Sequence, residues 1–259
     1  MPEDTSRGRF VWYDLMTTDT AAASGFYTDL IGWGTSSWEG GDTPYTMWTN
    51  HDAPLGGIMN LPEEAKQAGA PPHWLAYVAV PDTDATVALA IEYGGTALVP
   101  ATDIPTVGRF AVLQDPLHAV FAVFTPAEAA PGHDGPPKVG EFSWHELATD
   151  DHEAAFDFYS KLFGWEKAGD HDMGEMGTYQ MYGRSGSGTP LGGMFKKPAE
   201  MPTGWLLYVR VEDMNQAVEK VTAAGGTVLN GPMEVPGGDM VTQCMDPQGA
   251  AFALHSSNG

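Results

Sequence analysis

The amino-acid sequence predicts an α+β chain of two tandem domains, four strand–helix–three-strand units in all. Three observations carry this. The 259 residues are enough for two ordinary domains. The sequence is written twice: Gly8-Arg9-Phe10-Val11-Trp12-Tyr13-Asp14-Leu15 returns 132 positions later as Gly140-Glu141-Phe142-Ser143-Trp144-His145-Glu146-Leu147. Inside each copy, short β-type runs flank one helical period, and the order then recurs. Phe26-Tyr27 matches Phe158-Tyr159, and Ile31-Gly32-Trp33 matches Phe163-Gly164-Trp165. Pro54-Leu55-Gly56-Gly57 matches Pro190-Leu191-Gly192-Gly193, Trp74 to Val78 matches Trp205 to Val209, and Asp115-Pro116 matches Asp246-Pro247. The copies span 8–125 and 140–256, with a tail at 1–7, a Pro/Gly-rich linker at 126–139 and a tail at 257–259.

The elements follow in order. Phe10 to Thr17 alternates large side chains and reads as a strand. Asp19 in the first copy, and Asp150 or Asp151 in the second, is placed to cap the next helix. Ala154, Ala155, Phe158, Tyr159 and Leu162 form one apolar helical face, closed by Gly164 before a strand opens at Trp165. Strands are expected around 45–50 and 55–59, and around 179–182 and 191–195. The second units give a strand at 74–80, a helix at 84–92 and strands at 96–99, 110–114 and 120–124. Their repeats are 205–211, 215–223, 227–229, 240–245 and 251–255.

Composition excludes several functions. Acidic residues number 34 against 12 basic ones, a formal charge of −22. Each half carries −11, so the surface is acidic throughout. Nucleic acid and anionic membranes are therefore poor partners, because phosphate binding depends on Lys and Arg. Cys244 is the single cysteine, so neither an intrachain disulfide nor a thiolate cluster can form. With neither a leader-like start nor an apolar run long enough to span a bilayer, the expectation is a cytoplasmic monomer or homodimer. The pairs His51-Asp52, His133-Asp134 and His171-Asp172 fall in expected loops and read as solvated. The glycine-rich stretch 183–190 lacks a P-loop lysine and reads as a loop or hairpin.

The opening strand into Thr18-Asp19, the Phe26-Tyr27 to Trp33 run, the Asp246-Pro247-Gln248-Gly249 turn and their repeats resemble the vicinal oxygen chelate superfamily. That superfamily holds glyoxalase I, bleomycin-resistance proteins and extradiol dioxygenases. The resemblance covers nearly the whole chain, and is to tandem bacterial glyoxalase-like or hydroxylase-like members. It implies cup-shaped mixed sheets with helices outside and a ligand or metal in each cup. It also implies metal-ligand positions, which fall on Tyr13 and His145 in the opening strands, on or beside Leu75 and Leu206, and on Ala122 and Ala253 in the last strands. Neither copy keeps a full set, so no cofactor is expected. If a divalent iron, nickel, zinc or manganese ion were held, His145 and His255 would hold it.

Two functions are weighed ahead of a third, a structural or protein-interaction role that only the duplication suggests. One is a metal-free protein that binds a small apolar or aromatic molecule, with Tyr13, Leu75, Tyr77 and Ala122 lining one cup and Leu206, Ala253 and His255 the other. The second is an enzyme of lyase, isomerase or oxygenase type centred on the second copy. There His145 is a candidate acid or base, Arg210 a holder of an oxyanion and Tyr208 a hydrogen-bond donor. Trp12 and Trp144 read as helix-packing core. Asp14 and Glu146 share that face and, if buried, need hydrogen-bond donors.

Overall fold

The computed structural model describes residues 6–40, 45–128 and 132–257. The first copy runs β1 (Phe10–Thr17), α1 (Thr20–Ile31), β2 (Gly34–Trp38), β3 (Tyr45–Asn50), β4 (Ala53–Asn60), α2 (Glu63–Gln67), β5 (His73–Ala79), α3 (Thr83–Glu92), β6 (Thr96–Ile104), β7 (Gly108–Gln114) and β8 (Val120–Pro126). The second runs β9 (Phe142–Thr149), α4 (His152–Phe163), β10 (Trp165–Asp172), β11 (Thr178–Arg184), β12 (Pro190–Lys196), β13 (Gly204–Arg210), α5 (Met214–Ala223), β14 (Thr227–Glu234), β15 (Met240–Met245) and β16 (Ala251–Ser256). Each copy forms one eight-stranded mixed sheet, ordered β2-β3-β4-β1-β5-β8-β7-β6 and β10-β11-β12-β9-β13-β16-β15-β14. This is the α+β architecture the repeat predicts.

Aspartates start all four long helices. Asp19, Asp82, Asp151 and Asp213 each accept a backbone N–H of the first turn, which satisfies an otherwise orphaned donor and contributes about 1 kcal/mol per cap. Of the two candidates in the second copy, Asp151 is the cap. Gly32 and Gly164 end α1 and α4 with φ of 87° and 70°, a left-handed conformation that glycine adopts without strain.

Several elements differ from expectation. β10 continues through His171-Asp172 and is followed by a short 3-10 turn at Gly174–Met176, so that pair lies on a strand. Pairing to β11, with a register shift between Lys167 and Gly169, sustains the extension. β6 and β14 run longer than their apolar residues suggest, both with register shifts. α2 was not foreseen; it has no buried residue and so leaves no amphipathic signal. The stretch 183–190 is the expected hairpin, between β11 and β12.

By packing, the chain divides into two compact units, each drawing on both copies. The first comprises the described residues up to Trp12, with Ala76–Asp134 and Trp144–Trp205. In its core, Tyr159 lies edge-on to Phe121 and Trp205, and Phe163 packs on Trp165. The Tyr159 hydroxyl donates to Asp115 Oδ2 at 3.0 Å and accepts from Trp205 Nε1 at 3.3 Å. Asp115 in turn closes its turn by accepting from Leu117 N and Ala119 N. Burial raises the Asp115 pKa, and those donors oppose the rise. Arg9 and Arg184 both bind Asp134, so the linker carboxylate predicted to be merely solvated is ion-paired.

The second unit comprises Tyr13–Leu75, Gly135–Ser143 and the residues from Leu206 onward. The same core recurs with other residues. The Tyr27 hydroxyl donates to Asp246 Oδ2 at 3.1 Å and accepts from Trp74 Nε1 at 3.0 Å. Phe252 meets both Phe26 and Tyr27 edge-on, and Trp33 donates to Gly140 O at 2.7 Å.

Candidate functional site

Within the second unit, β13 and β16 run parallel, with Tyr208 opposite Ala253 and Arg210 opposite His255. Alternation along each strand therefore puts Leu206, Tyr208, Arg210, Ala253 and His255 on one face. β15 extends it, since Gln243 pairs with Ala253 and Val241 with His255. Ala253 is fully buried and Tyr208 4% exposed, whereas Leu206, Arg210 and His255 are half-buried. The face thus has an apolar centre and a polar end.

Hydrogen bonds fix the polar end. Gln243 Nε2 donates to the Tyr208 hydroxyl at 3.3 Å. Arg210 Nη1 donates to Pro137 O at 2.6 Å, so this strand arginine is anchored by a linker carbonyl. His255 Nε2 lies 3.0 Å from Asp239 Oδ2, and its Nδ1 2.9 Å from Ser143 Oγ. Ser143 and Asp239 escaped the sequence reading. Ser143 left one signal, a small hydroxyl in an aromatic strand; Asp239 left none, because only the β15–β16 pairing brings it to His255.

His145 lies elsewhere, in the first unit. The expected group therefore divides: Leu206, Tyr208, Arg210, Ala253 and His255 share a unit, and His145 belongs to the other. Its ring is stacked on Phe10 at a centroid distance of 3.7 Å, and Nδ1 donates to Leu191 O at 2.9 Å. At 4% exposure, desolvation lowers its pKa to about 4, against the opposing pull of the Leu191 carbonyl. The neutral ring is thus the resting form. Gly192 lies opposite, and a Cβ there would meet His145 O at 1.9 Å.

The neighbouring residues on β9 carry a second hydrogen-bonded chain. Trp144 Nε1 donates to the Tyr179 hydroxyl at 2.7 Å, and that hydroxyl donates to Glu146 Oε2 at 3.0 Å. Trp144 is only half-buried, so it is not the closed core residue expected. In the second unit, Tyr45 donates to Asp14 in the corresponding way. The donors that these carboxylates require are therefore tyrosines.

The residues predicted to line the first cup fall in both units. Tyr77 lies opposite Ala122 on β5 and β8 and near Phe110, in the first unit. Tyr13 and Leu75 are buried in the second, where Tyr13 stacks on Phe142 at 3.8 Å. Burial, and then the Glu141 charge, push the Tyr13 pKa up.

These residues do not fit a divalent ion. Alanine stands at both last-strand positions where the resemblance implies glutamate, and each faces a tyrosine across the strand pair. Among the described residues no three His, Cys, Asp or Glu side chains converge as a metal site.

Comparison with known proteins agrees with this architecture. The family profile of the glyoxalase/bleomycin resistance protein/dioxygenase superfamily matches residues 141–254. The provisionally named glyoxylase CFP32 of Mycobacterium bovis is 34% identical over 250 residues, 94% of this chain and 92% of that protein. The anthracycline biosynthesis protein DnrV of Streptomyces peucetius is 30% identical over 262 residues, 95% and 92% of the two chains. Among solved structures, a Mn(II)-bound glyoxalase from Novosphingobium aromaticivorans superposes with a TM-score of 0.62 at 16% identity, over 97% of this chain and 82% of that one. The 2,3-dioxygenase LapB from Pseudomonas sp. KL28 gives 0.63 at 12% identity, over 97% and 92%. With its repeated units, its two eight-stranded sheets and its full-length relatives, the chain belongs to the glyoxalase/bleomycin resistance protein/dioxygenase superfamily as a tandem member.

Proposed function

We propose that this protein binds a small, flat, largely apolar molecule without a metal, on the strand face of Leu206, Tyr208, Ala253, Arg210 and His255. The observation that carries this is the Tyr208–Ala253 pair. Where a metal-using member would spend a carboxylate, this chain sets a methyl group beside an aromatic ring, which favours contact with an apolar ring system over ion binding. Arg210 and His255 give the ligand one polar end, suited to a carboxylate or phenolic oxygen. A relative of 30% identity named for anthracycline biosynthesis supports aromatic chemistry. The alternative, an enzyme centred on His145 and Arg210, has less support, because His145 is covered by Phe10 and bonded to Leu191 O.

The test is a fluorescence titration of chelator-treated protein with anthraquinone-2-carboxylate. Saturable one-to-one binding, weakened at least about tenfold by Leu206→Asp, a loss of roughly 1.4 kcal/mol, is the expected result. Absence of saturation, or binding indifferent to Leu206→Asp, removes the proposal.

A further inference from the structure

The polar end of this face holds three residues in the order that acyl transfer requires. Asp239 Oδ2 lies 3.0 Å from His255 Nε2, and His255 Nδ1 2.9 Å from Ser143 Oγ. The carboxylate can only accept, so Nε2–H donates a hydrogen bond to it, and the uncharged imidazole then carries its lone pair at Nδ1. Ser143 O–H then has two acceptors, that lone pair at 2.9 Å and Tyr208 O at 3.3 Å, and the shorter contact is to the imidazole. We propose that Ser143, His255 and Asp239 form a nucleophile, base and orienting group that hydrolyse small carboxylic esters held on this face. This rests on the face being the ligand site.

All three residues are half-buried, so the serine is shielded yet not sealed. The two residues leading into β9 and the end of β13 support it: Gly140 N donates to Arg210 O, and Arg210 N donates to Glu141 O. The Arg210 side chain therefore emerges two residues along β13 from Tyr208, whose carbonyl touches Ser143. Its guanidinium, held at Pro137 O, shares the strand face of Tyr208 and His255, where a cation would stabilise negative charge developing on a carbonyl oxygen.

The chemistry balances with water as the only co-reactant. Ser143 Oγ attacks the ester carbonyl carbon, its proton passes to His255 Nδ1, and the carbonyl π pair moves onto oxygen. Collapse re-forms the C=O bond and breaks the bond to the alcohol oxygen, which leaves with the proton from His255. Water then attacks the acyl-serine and gives a proton to His255. As the second tetrahedral adduct collapses, that proton returns to Ser143 Oγ and the carboxylic acid departs.

The experiment uses the full chain with a fluorophosphonate probe, peptide mapping by mass spectrometry and turnover of 4-nitrophenyl acetate. An adduct on Ser143 is expected, together with turnover that Ser143→Ala abolishes. Asp239→Asn should lower kcat by about 100-fold or more with little change in KM, as loss of the orienting carboxylate does in serine enzymes. Asp239 is 38% exposed, so this variant reads the relay without testing the core. No adduct on Ser143, or turnover unchanged in Ser143→Ala, overturns the proposal. If anthraquinone-2-carboxylate still saturates while Ser143 stays unlabelled, the relay alone is discarded. If neither probe binds, the face itself is discarded as a site.

Discussion

The imidazole of His145 lies flat on the ring of Phe10, with centroids 3.7 Å apart and planes 4° from parallel. The equivalent pair in the other unit is Tyr13 on Phe142, at 3.8 Å and 20°. The repeat thus keeps this stacked pair in both units, and His145 occupies a packing position that tyrosine fills in the first copy. Such pairs contribute about 0.5–1.5 kcal/mol beyond burial.

That burial makes stability depend on pH. The folded-state pKa of His145 is lowered from 6.5 to about 4, so between those values the unfolded chain binds more protons. Its contribution is fully present above pH 6.5 and is lost as pH falls towards 4, by about 3 kcal/mol in all. Urea midpoints of the wild type should fall more steeply between pH 7 and pH 4.5 than those of His145→Leu. Parallel slopes would show that the ring is not the group responsible.

Glycines 192 and 25 should respond oppositely to alanine. At Gly192 a Cβ would come within 1.9 Å of the backbone oxygen of His145, and backbone cannot swing aside as a side chain can. Gly192→Ala should cost about 3 kcal/mol or more or prevent folding. Gly25 is exposed in the middle of α1 with nothing near its Cβ position. Gly25→Ala should stabilise by about 0.5–1 kcal/mol and raise Tm by about 1–4 °C, measurable by calorimetry.

The buried tyrosine–aspartate bonds predict a further pair of effects. Tyr159→Phe leaves Asp115 Oδ2 without the hydroxyl that bonds it at 3.0 Å, and Tyr27→Phe does the same to Asp246. Each should destabilise by about 1–3 kcal/mol. Because the sites lie in different units, the losses should add in the double variant to within about 0.5 kcal/mol. Chemical denaturation of the four proteins measures this, and strong non-additivity would show that the two clusters act as one.

Metal removal should change nothing. Chelated protein should keep its Tm, and saturating Mn, Fe, Ni or Zn should not raise it, since an ion that binds the folded state tightly would stabilise it by about 2.7 kcal/mol at one hundred times its Kd. Stoichiometric metal in the purified protein, lost together with ligand binding on chelation, would reverse the metal-free reading.

Much of the fold was legible because local rules set it. The helix caps Asp19 and Asp151, the closing glycines Gly32 and Gly164 and the Asp-Pro turns are short-range devices, and they stand where the spacing puts them. The module exchange was not legible. Apolar periodicity says that Phe158 and Tyr159 are covered, but not that Phe121 of the other copy covers them. Alternation likewise gives the parity of His145 without naming the element that receives its ring. The grouping of Tyr208 with Ala253 and of Arg210 with His255 follows from parity and pairing together. Asp239, on a turn, has no parity to read.

The exchange of modules gives the linker a different meaning. A half-length chain with this packing could complete its units only by trading modules with a second copy. The tandem chain carries both contributors on one thread, so a bimolecular association becomes intramolecular and the partner's effective concentration no longer falls on dilution. In duplication, such a chain exchanges a concentration-dependent dimer for a fixed stoichiometry. Each site is then free to change without its twin, as the divergence of Tyr13 and His145 at one repeat position records.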